Sequence, residues 1–366
     1  MRTENGRPSG ARAPRPHPIR STFILSFTAL IWGMAFVAQR VGMEFVGPFF
    51  FTGIRMLLGA LTLLVVLALV SLFGHGENIV RGRDENDTEP QSPSRHSGLV
   101  PESNGNLTGN NGRSTQNTRA DNPTRTSQRY GVLLKAGLLC GAIIFLASCA
   151  QQVGLVFTTA SKAGFLTALY IVLVPLLGIA LRHKTHWNTW VSVVVAAVGL
   201  YFLCMTGGFT LQFGDGITLV GALFWACHIL VIDHYVEGLG KRDVMRLCVM
   251  QFVVASLLSF VASALFDGLF AAGAFNIDGL IAALPAILYT GILSTGVAFT
   301  FQAVGQQGLP PSAASIVMSL EAVFSVIGGM LLLGEVLSTR EVFGCVALFA
   351  AVILSQLPIG QSKSAP

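Results

Sequence analysis

Long apolar runs separated by short polar breaks dominate the chain. Ten such runs stand out, at residues 20–39, 49–73, 131–156, 160–182, 187–206, 215–236, 244–266, 278–304, 312–333 and 341–358. Each approaches the roughly 20 residues that a helix needs to cross the hydrocarbon core of a bilayer. Helices are forced there rather than chosen. An unsatisfied backbone amide in lipid costs several kcal/mol, and the in–out alternation of a membrane barrel is missing from these runs. The pattern therefore predicts an all-α membrane protein with ten transmembrane helices. The first run, Ile19–Gln39, follows a basic stretch as a signal peptide would. It lacks a small-residue cleavage site and nine further runs follow it, so it reads as a retained first span.

One segment breaks the pattern. Residues 74–130 are rich in Asn, Ser, Thr, Gly, Pro and Arg and nearly empty of large apolar side chains. Such a stretch cannot bury enough surface to offset its ordering entropy, which predicts a disordered loop. Composition agrees with the membrane reading: 52% of residues are hydrophobic and only 11% charged, against about 25% charged in soluble domains. Placing the N-terminus in the cytoplasm puts 19 of the 23 basic residues on that side. Arg40, Lys162 and Arg340 then lie outside, and Arg55 lies within a span. This asymmetry predicts a multi-pass protein of the cell membrane with a cytoplasmic N-terminal arm (1–18), a cytoplasmic 74–130 loop and a cytoplasmic tail (359–366). The six cysteines lie in apolar runs without metal-ligand spacing and read as small buried hydrophobes.

The runs also repeat. Ala29-Leu30-Ile31-Trp32-Gly33 matches Ala222-Leu223-Phe224-Trp225-Ala226, and Ala147–Ala197 aligns without gaps onto Ala298–Leu348. The second alignment pairs Gln151 with Gln302, Gly154 with Gly305, Leu169 with Leu320 and Gly178 with Gly329, an offset of 151. Arg55 pairs with Gln251 at an offset of 196, so about 45 residues are inserted in the first half, within the polar loop. Two repeats follow, 19–206 with spans one to five and 215–358 with spans six to ten. Five is odd, so the second copy is expected to be inverted relative to the first. Duplicated inverted halves are a mark of transporters, whose substrate site lies near the midplane where the halves meet.

Order, spacing and duplication together carry a family resemblance. The Ala-Leu-x-Trp-Gly/Ala motif opens each half, and Ser315–Glu335 reads SIVMSLEAVFSVIGGMLLLGE. The chain resembles the drug/metabolite transporter superfamily and, within it, the EamA-like transporter family. The first-half counterpart, Gly164–Arg182, keeps the shape of the motif but has His183-Lys184 where the family pattern ends in Gly-Glu. The resemblance implies a secondary transporter moving a small metabolite, an amino acid or related amphipathic compound, across the cytoplasmic membrane by alternating access, with export the commoner direction. The alternative is a non-transporting assembly or sensory subunit that docks partners through the 74–130 loop.

Seven side chains are candidates for a substrate cavity: Trp32, Gln151, Tyr170, Trp225, His228, Gln302 and Glu321. Glu321 lies mid-way along the ninth span, where an ionisable group costs at least ~2.5 kcal/mol and should face protein or water. Helical spacing puts it on a small and polar stripe with Ala314, Met318, Ser325 and Gly328. It reads as a proton-coupling residue, as a contact for a cationic substrate group, or as a hydrogen-bonded buttress between helices. Tyr170 is its first-half counterpart. Trp32 and Trp225 correspond by the repeat and lie too deep for the interfacial aromatic belt. Trp32 shares a stripe with Thr28, Ala35 and Gln39, and Trp225 shares one with Gly221, His228 and Ile232. Gln151 and Gln302 need partners in or across the bundle. Arg55 is expected to snorkel outward or to pair with Glu44. No P-loop, HExxH or G-x-S-x-G motif occurs in the chain, which points away from direct ATP use and from hydrolase chemistry. Neither cofactor nor metal is expected, nor any nucleic acid. The expected partners are a small-molecule substrate, the lipid bilayer and protons as a candidate coupling ion, with monomer and homodimer both open.

Overall fold

The computed structural model describes residues 18–84, 123–158, 160–182, 185–205, 212–268, 277–333 and 338–357, and every regular element among them is helical. The expected N-terminal arm up to residue 17, the central part of the polar insertion (85–122) and the tail (359–366) lie outside the described residues. The elements are α1 (Pro18–Met43), α2 (Pro48–Asp84), α3 (Pro123–Phe157), α4 (Ala160–Ala168), α5 (Tyr170–Ala180), α6 (Trp187–Cys204), α7 (Phe213–Val236), α8 (Lys241–Ala262), α9 (Ile277–Leu288), α10 (Phe299–Gln306), α11 (Pro311–Met318), α12 (Glu321–Leu333) and α13 (Thr339–Gln356). A π-helical turn, Ser263–Asp267, ends α8, and a longer π-helical segment, Tyr289–Ala298, joins α9 to α10 into one span. Nine helical stretches among the described residues are long and apolar enough to cross a membrane, and Pro311–Ile327 is a shorter apolar tenth.

Contacts group the chain into two units, Met1–Val65 with Val132–Pro366, and Val66–Gly131. All packing described below lies within the first. In the second, α2 continues as helix to Asp84 and α3 begins at Pro123, so the expected loop is shorter at both ends. Once a helix is nucleated, each added residue gains its own hydrogen bond, and polar residues extend it into water without an apolar face. At 37 residues α2 is about 55 Å long by helical rise, well beyond a core of ~30 Å.

Proline marks several starts. Pro18, Pro48, Pro123 and Pro311 each occupy the first position of a helix, where the missing N–H has no partner to lose. Ser338 and Glu341 close a reciprocal capping box on α13, with the Glu341 Oε2 accepting from the Ser338 N–H at 2.7 Å. Asp215 links two elements. It accepts from the Gln212 N–H at 2.7 Å and from the Thr158 hydroxyl at 2.6 Å, tying the end of α3 to the start of α7.

Polarity is distributed inside-out. Phe23, Leu61, Leu64, Val65, Val194, Ile281 and Ile353 face outward, while Arg55, Gln151, Gln152, His228, Gln251, Gln302 and Glu321 are buried. A bundle in lipid requires this arrangement, since apolar side chains lose nothing by facing tails and polar ones must find partners inside. Small residues set the helix contacts. Gly137 and Gly141 of α3 meet Met250 and Val254 of α8, so these two helices run parallel. Gly53 of α2 meets Phe260, and its carbonyl accepts from the Ser256 hydroxyl at 2.9 Å. The start of α2, the end of α3 and the end of α8 therefore share one end of the bundle.

Two spans are broken, a feature that continuous apolar runs do not announce. The fourth stops at Ala168 and restarts at Tyr170, and the ninth stops at Met318 and restarts at Glu321. At each break the chain tightens to a three-residue step. Leu169 N–H donates to the Leu166 carbonyl at 3.3 Å, and Leu320 N–H donates to the Val317 carbonyl at 3.2 Å. In the ninth span the Ser319 hydroxyl also donates back to the Ile316 carbonyl at 2.7 Å, competing with the helical ladder. Leu169 and Leu320 are counterparts in the repeat.

Candidate functional site

A cavity of about 510 Å³, measured with its open mouth, lies in the middle of the first unit. Trp32, Phe36 and Gln39 line it from α1, Arg55 from α2, Gln151 from α3, Thr167 from α4 and Tyr170 from α5. The other wall is Trp225 and Ile229 of α7, Ser294 of the π-segment, Phe299 and Gln302 of α10, Met318 of α11 and Glu321 of α12. Neither α6, α8, α9 nor α13 contributes. Spans one, three and four thus face spans six, eight and nine, with span two added.

The breaks in the fourth and ninth spans meet here. Tyr170 begins α5 and Glu321 begins α12, and the Tyr170 hydroxyl donates to Glu321 Oε1 at 3.1 Å. Both side chains are buried. The chain stays hydrogen-bonded through each kink, Val172 N–H donating to the Leu169 carbonyl at 2.9 Å and Ala322 N–H to the Ser319 carbonyl at 3.2 Å, so it is the side chains of Tyr170 and Glu321 that the kinks turn toward each other. Gly33 allows α1 to press against this point. A Cβ there would stand 2.5 Å from the Glu321 carbonyl oxygen and 2.7 Å from the Ser325 nitrogen. No side chain larger than hydrogen fits without moving α12.

Aromatic rings form the centre of the wall. Trp225 stacks on Phe299 at 5.7 Å between centroids, and Trp32 meets the same ring edge-on at 4.8 Å. Each indole N–H is bound. Trp225 Nε1 donates to Gln151 Oε1 at 2.9 Å, and Trp32 Nε1 donates to the Ser294 carbonyl at 3.1 Å. The π-segment explains the second bond, because its wide turns release carbonyls from the regular ladder for side-chain donors. The same segment is stitched to α1 by Tyr289, whose hydroxyl donates to the Ile31 carbonyl at 2.9 Å. Gln302 Oε1 and Thr167 Oγ1 are buried without a hydrogen-bond partner. Both residues line the cavity, so both offer unspent hydrogen-bonding capacity to an occupant.

Six of the seven candidates, Trp32, Gln151, Tyr170, Trp225, Gln302 and Glu321, line this one cavity. His228 does not. Its Nε2 pairs with Gln251 Oε1 at 3.1 Å, and its ring lies perpendicular to Trp225 and Phe299, behind them. The stripe drawn through Trp225 took the i+3 neighbour, whereas the cavity face of α7 continues through the i+4 neighbour, Ile229. Arg55 also departs from expectation. It neither snorkels nor pairs with Glu44: it is 3% exposed, faces the cavity, and its Nε has no hydrogen-bond partner. Its distinguishing mark in the sequence is that it lies further from the end of its apolar run than any other lysine or arginine. Ser294 and Phe299 carried no mark, since a π-helical segment rotates the face that regular helical spacing projects.

An all-helical bundle with inward polarity, broken spans and a central aromatic and amide-lined cavity is the architecture of a multi-pass membrane transporter. The comparisons agree. The EamA-like transporter family matches residues 212–357. A protein of Archaeoglobus fulgidus named "Uncharacterized transporter" is 32% identical over 226 residues, covering 62% of this chain and 70% of that protein. The chain belongs to the EamA-like transporter family. The threonine/homoserine exporter RhtA of Salmonella typhimurium (strain LT2) is 27% identical over 190 residues, covering 50% of this chain and 59% of that protein, less than two thirds of its length. The protein of the same name from Escherichia coli (strain K12) is 26% identical over 225 residues, covering 57% and 72%. A solved crystal structure matches with a TM-score of 0.62 at 14% identity, over 93% of this chain and 99% of that one, which speaks to the fold alone.

Proposed function

We propose that this protein is a secondary transporter that exports a small metabolite, an amino acid or related amphipathic compound, across the cell membrane by alternating access. The observation that carries the reading is the cavity itself, built where two broken spans from the two sequence halves bring Tyr170 and Glu321 together. Helices interrupted beside a mid-bundle cavity are a recurrent feature of transporter substrate sites. The two halves act as an inverted repeat in this scheme. Support comes from the opposite course of the helices that open each half. Along the eighth span, Ala286, Ser294, Ala298 and Gly305 meet α1 at Gly42, Trp32, Thr28 and Leu25 in falling order. Gln306 and Gln307 at its end donate to carbonyls of Ile229 and Val236 late in α7, so α1 opposes this span while α7 accompanies it.

Both termini are cytoplasmic in this reading, on the charge asymmetry. Export and the amino-acid class draw on the names of the threonine/homoserine exporters that share about a quarter of aligned residues. Trp32, Gln151, Tyr170, Trp225 and Gln302 contact the substrate, and Glu321 exchanges a proton as the cavity changes its exposure. The test is solute counterflow in proteoliposomes over a metabolite panel headed by L-threonine and L-homoserine. Saturable flux of at least one small metabolite is expected. Its absence across the panel, with protein shown to be folded, would refute the transporter reading.

A further inference from the structure

Arg55 places a cation in this cavity without an ion-pair partner among the described residues. The side chain is 3% exposed, yet its guanidinium has no ion-pair partner among the described residues and its Nε has no hydrogen bond of any kind. Glu321 shares the cavity, but its hydrogen bond is to Tyr170. A guanidinium keeps its charge and presents a planar fork of donors matched to a carboxylate. Buried inside a span, such a group is costly, and an unpaired one facing a cavity is a mark of a ligand contact. The place of Arg55 along the bundle sharpens the point. Phe51 sits against Gly42, so one turn further along the antiparallel α2 Arg55 stands level with Gln39. Glu321 lies at the level of Gly33, six residues back along α1, or about 9 Å by helical rise.

We propose that Arg55 anchors a carboxylate of the transported solute, and that the substrate class is the α-amino acids, held with the carboxylate on Arg55 and the ammonium toward Glu321. The assignment rests on the transporter reading above and narrows it. Two charge-assisted hydrogen bonds of ~2.8 Å and the roughly 3 Å between the amine and carboxylate of an α-amino acid give such a ligand a reach of about 9 Å, on the scale of the axial offset between the two backbone positions. A phosphorylated solute fits less well, because its two negative charges would face one arginine and the Glu321 carboxyl. Gln39 and Gln151 also line the cavity and supply further neutral donors, while Phe299 and the two tryptophans leave an apolar wall for the side chain.

The experiment is a four-cornered binding cycle on the whole chain with Trp187 and Trp190 replaced by Phe, so that fluorescence reads Trp32 and Trp225 of the cavity. The probes are the L-amino acids that counterflow identifies and their carboxamides, which keep the amine and side chain but remove the negative charge. Wild type should bind the acid on the order of 10- to 100-fold more tightly than the amide, the range expected for a hydrogen bond to a charged group. Arg55→Gln should lose that factor for the acid and leave the amide unchanged, and Arg55→Lys should fall between. Equal binding of acid and amide by the wild type overturns the assignment without any variant having to fold. So does an Arg55→Gln protein that weakens both probes alike. Saturable flux confined to solutes without a carboxylate removes the arginine anchor but leaves the transporter standing, whereas no saturable flux at all removes both.

Discussion

The two broken spans share a backbone plan and differ in what they place on it. The fourth restarts at Tyr170 and the ninth at Glu321, one residue past the paired Leu169 and Leu320. One restart presents a phenol and the other a carboxyl, and the two are joined by a single hydrogen bond of 3.1 Å. The helices packed against them differ as well. Gly33 lets α1 approach α12 until backbone meets backbone, whereas its counterpart in α7 is the buried Ala226. The two kinks share a geometry and differ in chemistry, so the ninth span holds the carboxyl and, through Gly33, a backbone-to-backbone contact with α1.

The comparison is most directly broken at the carboxyl. Glu321→Gln should abolish accumulation driven by a pH gradient in proteoliposomes while sparing exchange between the two sides, because a neutral amide retains hydrogen bonding but moves no proton. Undiminished pH-driven accumulation in that variant would remove Glu321 as the carrier. The contact asymmetry comes next. Gly33→Ala should cost about 1–3 kcal/mol by overpacking against α12, and the reciprocal Ala226→Gly only about 1 kcal/mol from helix propensity. Thermal unfolding of the detergent-solubilised protein measures both, and equal shifts would mean that the two contacts are equally tight. Tyr170→Phe should be milder, reducing flux roughly 2- to 10-fold by removing one hydrogen bond. Combined with Glu321→Gln it should add little, and additive losses would show that the pair does not act together. The smallest effect is expected from the polar insertion. Replacing residues 85–122 with a short flexible linker should leave flux within about twofold, as a graft outside the paired spans would; loss of flux with intact solute binding would favour the docking alternative.

Much of this arrangement was legible from residue pattern. The apolar runs located the spans to within a few residues, and the repeat paired Trp32 with Trp225, Gln151 with Gln302 and Tyr170 with Glu321. All six share one cavity because an ionisable, amide, phenol or indole group deep in an apolar run has few places to go but inward. The misses have a common cause. His228 lies one position from the cavity face, and a stripe drawn at ideal spacing cannot separate neighbours i+3 and i+4. Arg55 sits early enough in its span to reach either water or the interior, and length alone does not say which.

Sequence by itself settled that this chain lives in a bilayer as a bundle of helices, because backbone hydrogen bonds and the composition of twenty-residue windows are local quantities. It also settled the family, because a motif repeated in order needs no coordinates. Only tertiary structure decided where the helices break, that a π-helical segment turns Ser294 and Phe299 into the wall, and that Arg55 is aimed inward without an ion-pair partner among the described residues. Those outcomes depend on which helix lies against which. A glycine opposite a carbonyl, or a cation opposite a void, has no meaning until residues more than two hundred positions apart are in contact.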